Sequence, residues 1–326
     1  MNARAGGSVG GLAIGVDAGG TKVAGVLIDC HSNGRVIRRR VVEMHAEDAE
    51  AAIRTVVAVG RGLMEGEEGV AALGVGAAGM VDLAGVMRFA PNLPWREVTL
   101  HERIEAALGI PTLVDNDANV AAWGEFRFGA GRDVENMLLV TVGTGIGGGI
   151  VWGGRLMRGA NGFAAEIGHF IVEPGGPRCG CGNLGCWEQM ASGRAIGRLG
   201  RRAAAEHPES SMVGLAGTAS DSVDGPIVTE AAQAGDPVAI GVLSEVGHRL
   251  GQGIAGLVNI LDPEMVVIGG GAVEAGDLLL GPARRAYAEA VEGNEHRPPV
   301  PIVPATLGND AGAVGAADLA FMERSS

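Results

Sequence analysis

The closest grouping of potential metal ligands in this 326-residue sequence lies in one loop, which contains a histidine and three of the four cysteines. His169 is followed at spacings of ten, two and five residues by Cys179, Cys181 and Cys186. One imidazole and three thiols form a Cys₃His set, which binds Zn²⁺ tetrahedrally, and the glycines between them allow the sharp turns of such a site. Because four protein ligands fill the zinc shell, we expect the metal to be structural and to take no part in the reaction.

Two acidic residues flank this zinc loop. Glu166 precedes His169, and Glu188 follows Cys186. Folding of the loop would bring both carboxylates together, and ionised carboxylates accept hydrogen bonds from the hydroxyl groups of a sugar. The second ring nitrogen of His169 would face the same ligand, which would link metal occupancy to sugar affinity. The alternative is that both glutamates are ordinary surface acids.

A second polar group, Asp115-Asn116-Asp117-Ala118-Asn119, marks the predicted junction of a strand and a helix. A single Asn or Asp is expected here in any protein as a helix N-cap, but three polar side chains exceed what capping needs. A carboxylate in this position, kept ionised by the helix dipole, would orient and deprotonate a hydroxyl that attacks phosphorus. We therefore predict Asp117 as a general base and Asn116 as a sugar ligand.

Two glycine turns, each after a short apolar run, are candidates for phosphate binding. Residues 17–22 read Asp-Ala-Gly-Gly-Thr-Lys, and residues 143–145 read Gly-Thr-Gly. Backbone N–H groups of such turns converge on anions, and an aspartate beside them would hold a metal ion through water. The first turn lacks the Walker A spacing and runs on into a strand, so the alternative is an ordinary hairpin. The predicted ligands of ATP are Asp17, Gly19, Gly20, Thr21, Lys22, Thr144 and Gly145, with Gly270 and Gly271 as adenosine contacts at the end of a later strand.

Alternating strands and helices must position these residues. Apolar runs predict strands at residues 12–16, 23–28, 70–76, 111–114, 137–142, 146–152, 265–268 and 302–305. Apolar spacing predicts helices at residues 49–64, 101–108, 118–128, 237–260 and 311–322. This is an α/β pattern, and the length favours two domains. The hairpin with a glycine turn occurs twice, which indicates two related halves.

Charge and hydropathy exclude several classes of protein. The net charge of −13 argues against a nucleic-acid partner, and we interpret Arg38-Arg39-Arg40 as a solvated strand end. The sequence shows no signal peptide and no apolar run long enough for a membrane span, so we expect no membrane partner and a cytoplasmic location. Thiols stay reduced in that compartment, so the cysteine cluster indicates a metal site before a disulfide.

Five motifs together resemble the ROK family, and most closely its bacterial glucokinases. In order, these motifs are residues 17–22, Asn116-Asp117-Ala118-Asn119, residues 143–149, Glu166-Ile167-Gly168-His169 and residues 179–188. The resemblance spans residues 12–319. It implies an actin-like ATPase fold (hexokinase-type, ribonuclease H-like) of two α/β domains with a central cleft, a sugar and ATP with Mg²⁺ as ligands, and a homodimer or homotetramer.

The resemblance also implies residue roles and domain boundaries. Asp117 would act on the sugar 6-hydroxyl. The sugar contacts it implies are Asn116, Glu166, His169 and Glu188, with Gly79 and Asn92 close by. It implies a small domain of residues 12–117 plus 311–326 and a large domain of residues 118–310 that contains the zinc loop, and we expect residues 1–11 to be a disordered extension. One departure is Asn309-Asp310, where similar glucokinases tend to carry a basic residue.

Other functions remain as alternatives. The same family contains transcriptional repressors with a helix-turn-helix domain ahead of the first glycine turn, but only sixteen residues precede Asp17 and the chain is acidic. A catalytically dead sugar sensor is disfavoured because Asp117 and both turns are intact. Among kinases, glucose is favoured because Asn92-Leu93-Pro94-Trp95 and the zinc loop resemble those of glucokinases. Fructose, mannose and N-acetylmannosamine stay open as acceptors, and polyphosphate stays open as a donor.

Overall fold

The computed structural model describes residues 11–217 and 219–324. Residues 1–10 of the predicted extension lie outside the described residues, whereas the Gly11 carbonyl accepts a hydrogen bond from the Cys30 N–H at 2.8 Å. The chain divides into two compact units. The first unit comprises Met1–Asp133, Gly149–Ala164 and Thr306–Ser326, and the second comprises Val134–Gly148 and Ala165–Ala305.

A five-stranded sheet forms the centre of the first unit. Its strands are β1 (Leu12–Ala18), β2 (Lys22–Asp29), β3 (Arg35–Glu43), β4 (Val70–Ala77) and β8 (Thr112–Asn116), in the order β3-β2-β1-β4-β8. The first three strands form an antiparallel meander, and β4 and β8 run parallel to β1. A second, small antiparallel sheet contains β5 (Met80–Val81), β6 (Met87–Phe89) and β7 (Arg96–Val98).

Helices cover both faces of this five-stranded sheet. They are α1 (Ala49–Met64), α2 (Leu100–Leu108), α3 (Asp117–Phe128) and α10 (Ala311–Glu323). Successive residues of β1 point to opposite faces, so Ile14 packs in a cluster with α1, whereas Ala13 packs in a cluster with α10. This three-layer arrangement is the α/β architecture that the sequence pattern predicts.

Close approach of backbones explains part of the glycine content. Gly15 and Gly74 are paired across β1 and β4. A Cβ atom on Gly15 would lie 1.7 Å from the Ala313 carbonyl oxygen, and one on Gly74 would lie 1.9 Å from that of Ala316. Only glycine lets α10 lie this close to the sheet, so a side chain at either position would push the helix away.

The second unit is built on a sheet with the same connectivity. Its strands are β9 (Met137–Val142), β10 (Ile146–Trp152), β11 (Arg155–Leu156), β12 (Met265–Gly269) and β13 (Ile302–Pro304), in the order β11-β10-β9-β12-β13. The strand β12 runs parallel to both β9 and β13, as β4 runs parallel to β1 and β8. The division between the units falls inside β10, so β11 and the end of β10 are counted with the first unit although they belong to this sheet. The shared strand order confirms the two related halves that the repeated hairpin predicts.

Helices complete the second unit. They are α4 (Glu188–Ala191), α5 (Gly193–Glu206), α6 (Ser211–Leu215), α7 (Gly225–Gln233), α8 (Pro237–Leu261) and α9 (Asp277–Ala290). The long helix α8 begins with Asp236 as N-cap and Pro237 in its first turn, the arrangement that best starts a helix. Among the described residues, no helix is both long and apolar enough to span a bilayer.

The basic run Arg38-Arg39-Arg40 lies in the middle of β3 and not at a strand end, which corrects the interpretation from the sequence. The strand is at the edge of its sheet, so its polar side chains reach the surface and find acidic partners. Arg38 pairs with Glu67 at 2.8 Å, and Arg39 pairs with Asp310 at 2.6 Å. Asp310, the departure from the family pattern, is therefore held by an ion pair within the first unit.

The units differ from the domain boundaries expected from the sequence. Residues 118–133, expected in the large domain, lie in the first unit because α3 packs along α10. Residues 149–164 also lie in the first unit, and the chain returns to it at Thr306.

Glu125 of α3 holds two of the segments that pass between the units. Its buried carboxylate accepts hydrogen bonds from the N–H groups of Ala130, Thr306 and Leu307 at 2.7–3.1 Å. The Thr306 hydroxyl donates a further bond at 3.3 Å. Every partner is a donor, so the site requires the acceptor-only form of a carboxylate.

We predict that Glu125→Gln destabilises the protein by about 2 kcal/mol, because the amide NH₂ group would face backbone N–H donors that lose their acceptor. Urea unfolding followed by circular dichroism should show a lower midpoint than the wild type. Glu289→Gln, a change at an exposed position of α9, serves as the matched control and should leave the midpoint unchanged. Equal midpoints for Glu125→Gln and the wild type would contradict this role.

Candidate active site

The turn between β1 and β2 places Asp17 beside the start of α10. The Gly19 N–H donates to the Lys22 carbonyl at 3.1 Å and closes the turn. A Cβ atom on Gly312, in the first turn of α10, would lie 3.3 Å from a carboxylate oxygen of Asp17. Thr21 and Lys22 are exposed beside this turn. The predicted phosphate-binding residues of the first unit are therefore gathered at one edge of its sheet.

The pKa of Asp17 is raised to about 6. Burial is the largest cause, and the negative charge of Asp117 adds to it, whereas Lys22 acts in the opposite direction. Asp17 and Asp117 therefore influence one another within the first unit. A bound divalent cation would offset this repulsion.

Asn116 has a structural role besides the predicted contact with sugar. Its Oδ1 atom accepts the N–H groups of Ala118 and Asn119 at 2.9 and 3.1 Å, so it is the N-cap of α3. Its Nδ2 atom donates to the Gly79 carbonyl at 3.0 Å. Gly79 has a φ of +153°, and a Cβ atom there would lie 2.4 Å from the Phe89 carbonyl oxygen. Asn116 and Gly79, both predicted near the sugar, are therefore in direct contact.

Asp117 is the first residue of α3, and its Oδ1 atom accepts the Ala118 N–H at 2.9 Å. Burial raises the pKa of Asp117, although hydrogen bonds from the backbone N–H groups of Asp117 and Ala118 act against that rise. The backbone donors at the helix N-terminus thus favour the ionised form, as expected, but burial opposes them and is the larger effect. A carboxylate with a raised pKa is a stronger base once it is ionised.

The remaining predicted residue of the first unit is Asn92. It is exposed, and a Cβ atom on Gly20 would lie 3.1 Å from the Asn92 Cβ atom. Glycine at position 20 thus allows the first glycine turn to pack against residue 92. The two residues were predicted for different ligands, and the structure brings them together.

In the second unit, the turn after β9 contacts the helices that follow the zinc loop. The Gly193 N–H, in the first turn of α5, donates to the Gly143 carbonyl at 2.8 Å. A Cβ atom on Gly145 would lie 2.4 Å from a carboxylate oxygen of Glu188. A residue predicted to bind phosphate, Gly145, therefore touches a residue predicted to bind sugar.

A cavity of about 970 Å³ opens beside this turn within the second unit. Gly143, Thr144 and Gly271 line it, and Gly270 precedes it with a φ of +83°. Three arginines and three acidic residues also line the cavity. They are Arg194, Arg198, Arg201, Asp224, Glu230 and Glu274. Sequence reasoning missed these six side chains, because only the fold brings α5, α7 and the end of β12 around one space.

The four predicted zinc ligands lie together. The ligand atoms of His169, Cys179, Cys181 and Cys186 are all within 4.8 Å of one another. The Cys179 Sγ atom is 3.6 Å from the His169 Nδ1 atom, and the Cys181 and Cys186 Sγ atoms are 3.6 Å apart. Bonds of about 2.3 Å to a tetrahedral zinc place two sulfurs about 3.8 Å apart, so the residues fit Zn²⁺.

Glu188 lies directly beside this thiol cluster. The Cys179 thiol donates to its Oε1 atom at 3.0 Å, and the Gln189 amide donates to the same oxygen at 3.2 Å. A cysteine bound to zinc is a thiolate and cannot donate this bond. Zinc would therefore free one acceptor position on Glu188.

Glu166 is exposed and follows a backbone feature that the sequence hides. Ala165 has a φ of +68°, a left-handed conformation that is unfavourable for a residue with a side chain. The Ile167 N–H donates to the Ala165 carbonyl at 2.7 Å, which closes a tight turn around Glu166. An alanine gives no signal of positive φ, so sequence reasoning missed this constraint.

Sheets of like topology in both halves, each with a glycine turn between its first two strands, define the class of the protein. It has the actin-like ATPase fold of sugar kinases. Residues 13–323 match the ROK family. The chain belongs to the ROK family, as the five sequence motifs predict.

Known proteins similar to this chain include enzymes and regulators. A glucokinase from Streptomyces coelicolor is 43% identical over 95% of this chain and 98% of its own length. The structure of a ROK family glucokinase from Streptomyces griseus, in complex with glucose and AMPPNP, matches with a TM-score of 0.87 at 43% identity, over 96% of this chain and 100% of that one. A xylose repressor from Bacillus subtilis is 27% identical over 94% of this chain and 76% of its own length.

We predict that Asp17→Asn stabilises the ligand-free protein at neutral pH. The pKa of Asp17 in the folded protein, about 6, exceeds the ordinary value of 3.8. The free energy of unfolding therefore falls as the pH rises from about 4 to 6, and it stays at the lower value above pH 6. Asparagine removes this cost, which amounts to about 2 kcal/mol at pH 7.5 and less than half of that at pH 4.5.

Urea unfolding of the wild type and Asp17→Asn at these two pH values measures the effect. Asp221→Asn, at an exposed position, is the control and should give no pH-dependent difference. A stabilisation by Asp17→Asn that is the same at both pH values would show that ionisation of Asp17 is not its cause.

Proposed function

We propose that this protein transfers the γ-phosphoryl group of ATP to the 6-hydroxyl of D-glucose, with Asp117 as the general base. The family, the fold and the resemblance to glucokinases over nearly the whole chain support ATP-dependent phosphorylation of a hexose. Within this chain, the observation that best supports the proposal is the environment of Asp117. This residue is a partly buried carboxylate of raised pKa at the start of a helix, held in place by hydrogen bonds to backbone N–H groups.

The electrostatics of the cavity in the second unit favour a nucleotide as donor. Its three arginines are balanced by three acidic residues, so the wall has no excess of positive charge. A polyphosphate chain needs a positive groove, whereas the adenosine part of ATP is neutral and only its triphosphate end is charged. The phosphates would lie at Thr144 and Gly145, and at Gly19, Gly20, Thr21 and Lys22 of the other turn. Asp17 would contact Mg²⁺ through water, and the metal would neutralise charge on the transferred group.

The proposed acceptors for the sugar are Asn116, Glu166, His169 and Glu188, with Gly79 and Asn92 near them. Glu188 supports this role because its position is fixed by Gln189 and by the contact with Gly145. Zinc bound by His169, Cys179, Cys181 and Cys186 would stabilise the loop that precedes Glu188. A cytoplasmic location fits the need for ATP and reduced thiols, and assembly as a homodimer or homotetramer stays a prediction.

We expect a coupled assay with ATP-Mg to give the highest kcat/KM on glucose among glucose, mannose, fructose and N-acetylmannosamine. Asp117→Asn should bind glucose with little change in affinity and lose turnover by about 100-fold or more, because general-base catalysis is removed. Replacement of ATP by polyphosphate tests the donor. Turnover on none of the four sugars would refute the proposed reaction, and near-normal turnover of Asp117→Asn would remove that residue from its role.

The similarity to a xylose repressor makes sugar-dependent regulation the competing function. A regulator of this kind binds DNA, which the net charge of −13 opposes. A gel-shift assay that shows sequence-specific binding, together with no turnover on any sugar, would favour that function over catalysis.

We predict that Cys181→Ala or removal of zinc by a chelator weakens glucose binding by about 10-fold or more. Cys181 is exposed, so its replacement removes a zinc ligand without opening the core. Loss of the metal would release the loop and return the Cys179 thiol to Glu188, where it competes with the sugar.

Titration calorimetry with glucose and elemental analysis of zinc measure these two quantities without any turnover. Cys30→Ala is the control, since Cys30 lies outside the zinc loop, and it should retain both zinc and affinity. An unchanged glucose affinity in zinc-free protein would separate the metal from sugar binding.

A further inference from the structure

Asp115, which no predicted role includes, lies directly before the two residues assigned to sugar and base. It is 4% exposed and therefore out of reach of bulk water. Its Oδ1 atom accepts the Asn116 N–H at 2.7 Å and the Asn119 Nδ2 group at 2.9 Å. Both donors belong to the turn that carries Asp117. One oxygen of Asp115 thus holds the backbone at the point where β8 becomes α3.

Arg158 binds the other oxygen of Asp115. Its Nε atom donates to the Oδ2 atom at 2.6 Å, and its Nη2 atom donates to Glu323 near the end of α10 at 2.9 Å. The three residues are far apart in sequence, and all belong to the first unit. Glu323 is 40% exposed in its side chain, whereas that of Asp115 is 6% exposed, so the bond to Asp115 is the better protected of the two.

A small cavity of about 270 Å³ lies beside this ion pair. Asp115, Arg158 and Glu323 are part of its wall. Water can enter a space of this size and polarity, so Asp115 would be solvated if the guanidinium were removed. Loss of Arg158 should therefore loosen the turn without leaving an unsolvated buried charge.

We propose that Arg158 is a positioning residue for phosphoryl transfer, acting through Asp115 on the backbone of Asn116 and hence on the direction of the Asp117 carboxylate. The inference rests on the proposed role of Asp117. A general base must lie within hydrogen-bond reach of the proton that it removes, and a displacement of about 1 Å costs about 100-fold in rate. The Arg158 side chain forms its polar contacts with Asp115 and Glu323 and none with Asn116 or Asp117, so its effect on the reaction passes through the Asp115 carboxylate.

Three variants test the positioning role by steady-state kinetics. Arg158→Gln should lower kcat on glucose by about 10- to 100-fold and leave the KM for ATP within about 2-fold, because the Arg158 side chain bonds to Asp115 and Glu323 and to none of the residues proposed to bind ATP. Arg158→Lys keeps a charge that can still pair with Asp115 and should recover most of kcat. Glu323→Gln removes only the exposed partner and should behave as the wild type. Wild-type kcat in Arg158→Gln, or an equal rise in both KM values with unchanged kcat, would overturn the proposal.

Hydrogen–deuterium exchange of peptides that contain residues 115–119 supplies a measurement independent of activity. Exchange in the ligand-free protein should be faster in Arg158→Gln than in the wild type and unchanged in Glu323→Gln, while peptides of the second unit stay unchanged. If the wild type phosphorylates no sugar, the proposed function fails, and this measurement still decides whether Arg158 orders the turn. If Arg158→Gln does not fold, Asp115→Asn takes its place, because asparagine keeps the Oδ1 acceptor of the turn and removes the charge that pairs with Arg158. Unchanged exchange and kcat in Asp115→Asn would then overturn the proposal.

Discussion

The placement of two carboxylates, Asp17 and Asp117, in one poorly solvated region is the constraint on which the first unit depends. The charge of Asp117 helps to raise the pKa of Asp17 to about 6, so this arrangement lowers the stability of the ligand-free protein at neutral pH. Such a cost persists only where the surrounding structure holds both groups in place. A cation and phosphates bound between them would offset the repulsion, so the same feature that weakens the fold favours the ligand.

The elements that carry these two carboxylates are positioned mainly by contacts to the backbone and less by the packing of large side chains. Glycines 15 and 74 let α10 approach β1 and β4, and this brings the first turn of α10 to Asp17. On the other helix, Asn116 caps the first turn, and Glu125 binds the backbone at Ala130 and Thr306 near the other end. Helix α3 is thus fixed at both ends, and Asp117 has little freedom to move.

Local signals explain which parts of the fold and the site could be predicted. The helix 49–64 and the strands 137–142 and 146–152 have the predicted bounds, because periodic apolar residues and glycine turns mark them. The clustering of His169 with Cys179, Cys181 and Cys186 was predictable because these residues lie within eighteen positions of the chain. Contacts between distant segments left no such signal: Arg158 meets Asp115 across 43 residues, and Arg39 meets Asp310 across 271. Helix α9 contains Pro282, a residue that disfavours a helix in any local reading, and Ala165 adopts a conformation typical of glycine.

In the second unit, one turn of helix brings together residues of three motifs that lie apart in the sequence. Glu188 accepts a bond from Cys179, a proposed zinc ligand, and touches Gly145 of the proposed phosphate turn, while its neighbour Gln189 lines the cavity proposed for the donor. A shift of this turn would therefore alter the metal site, the proposed sugar acceptor and the donor cavity together. Trp187, which is fully buried and donates to the Arg249 carbonyl, anchors the residue before this turn, and zinc bound at the proposed site would add a second anchor. On the proposed function, a metal without a part in the reaction would therefore still affect how tightly both substrates bind.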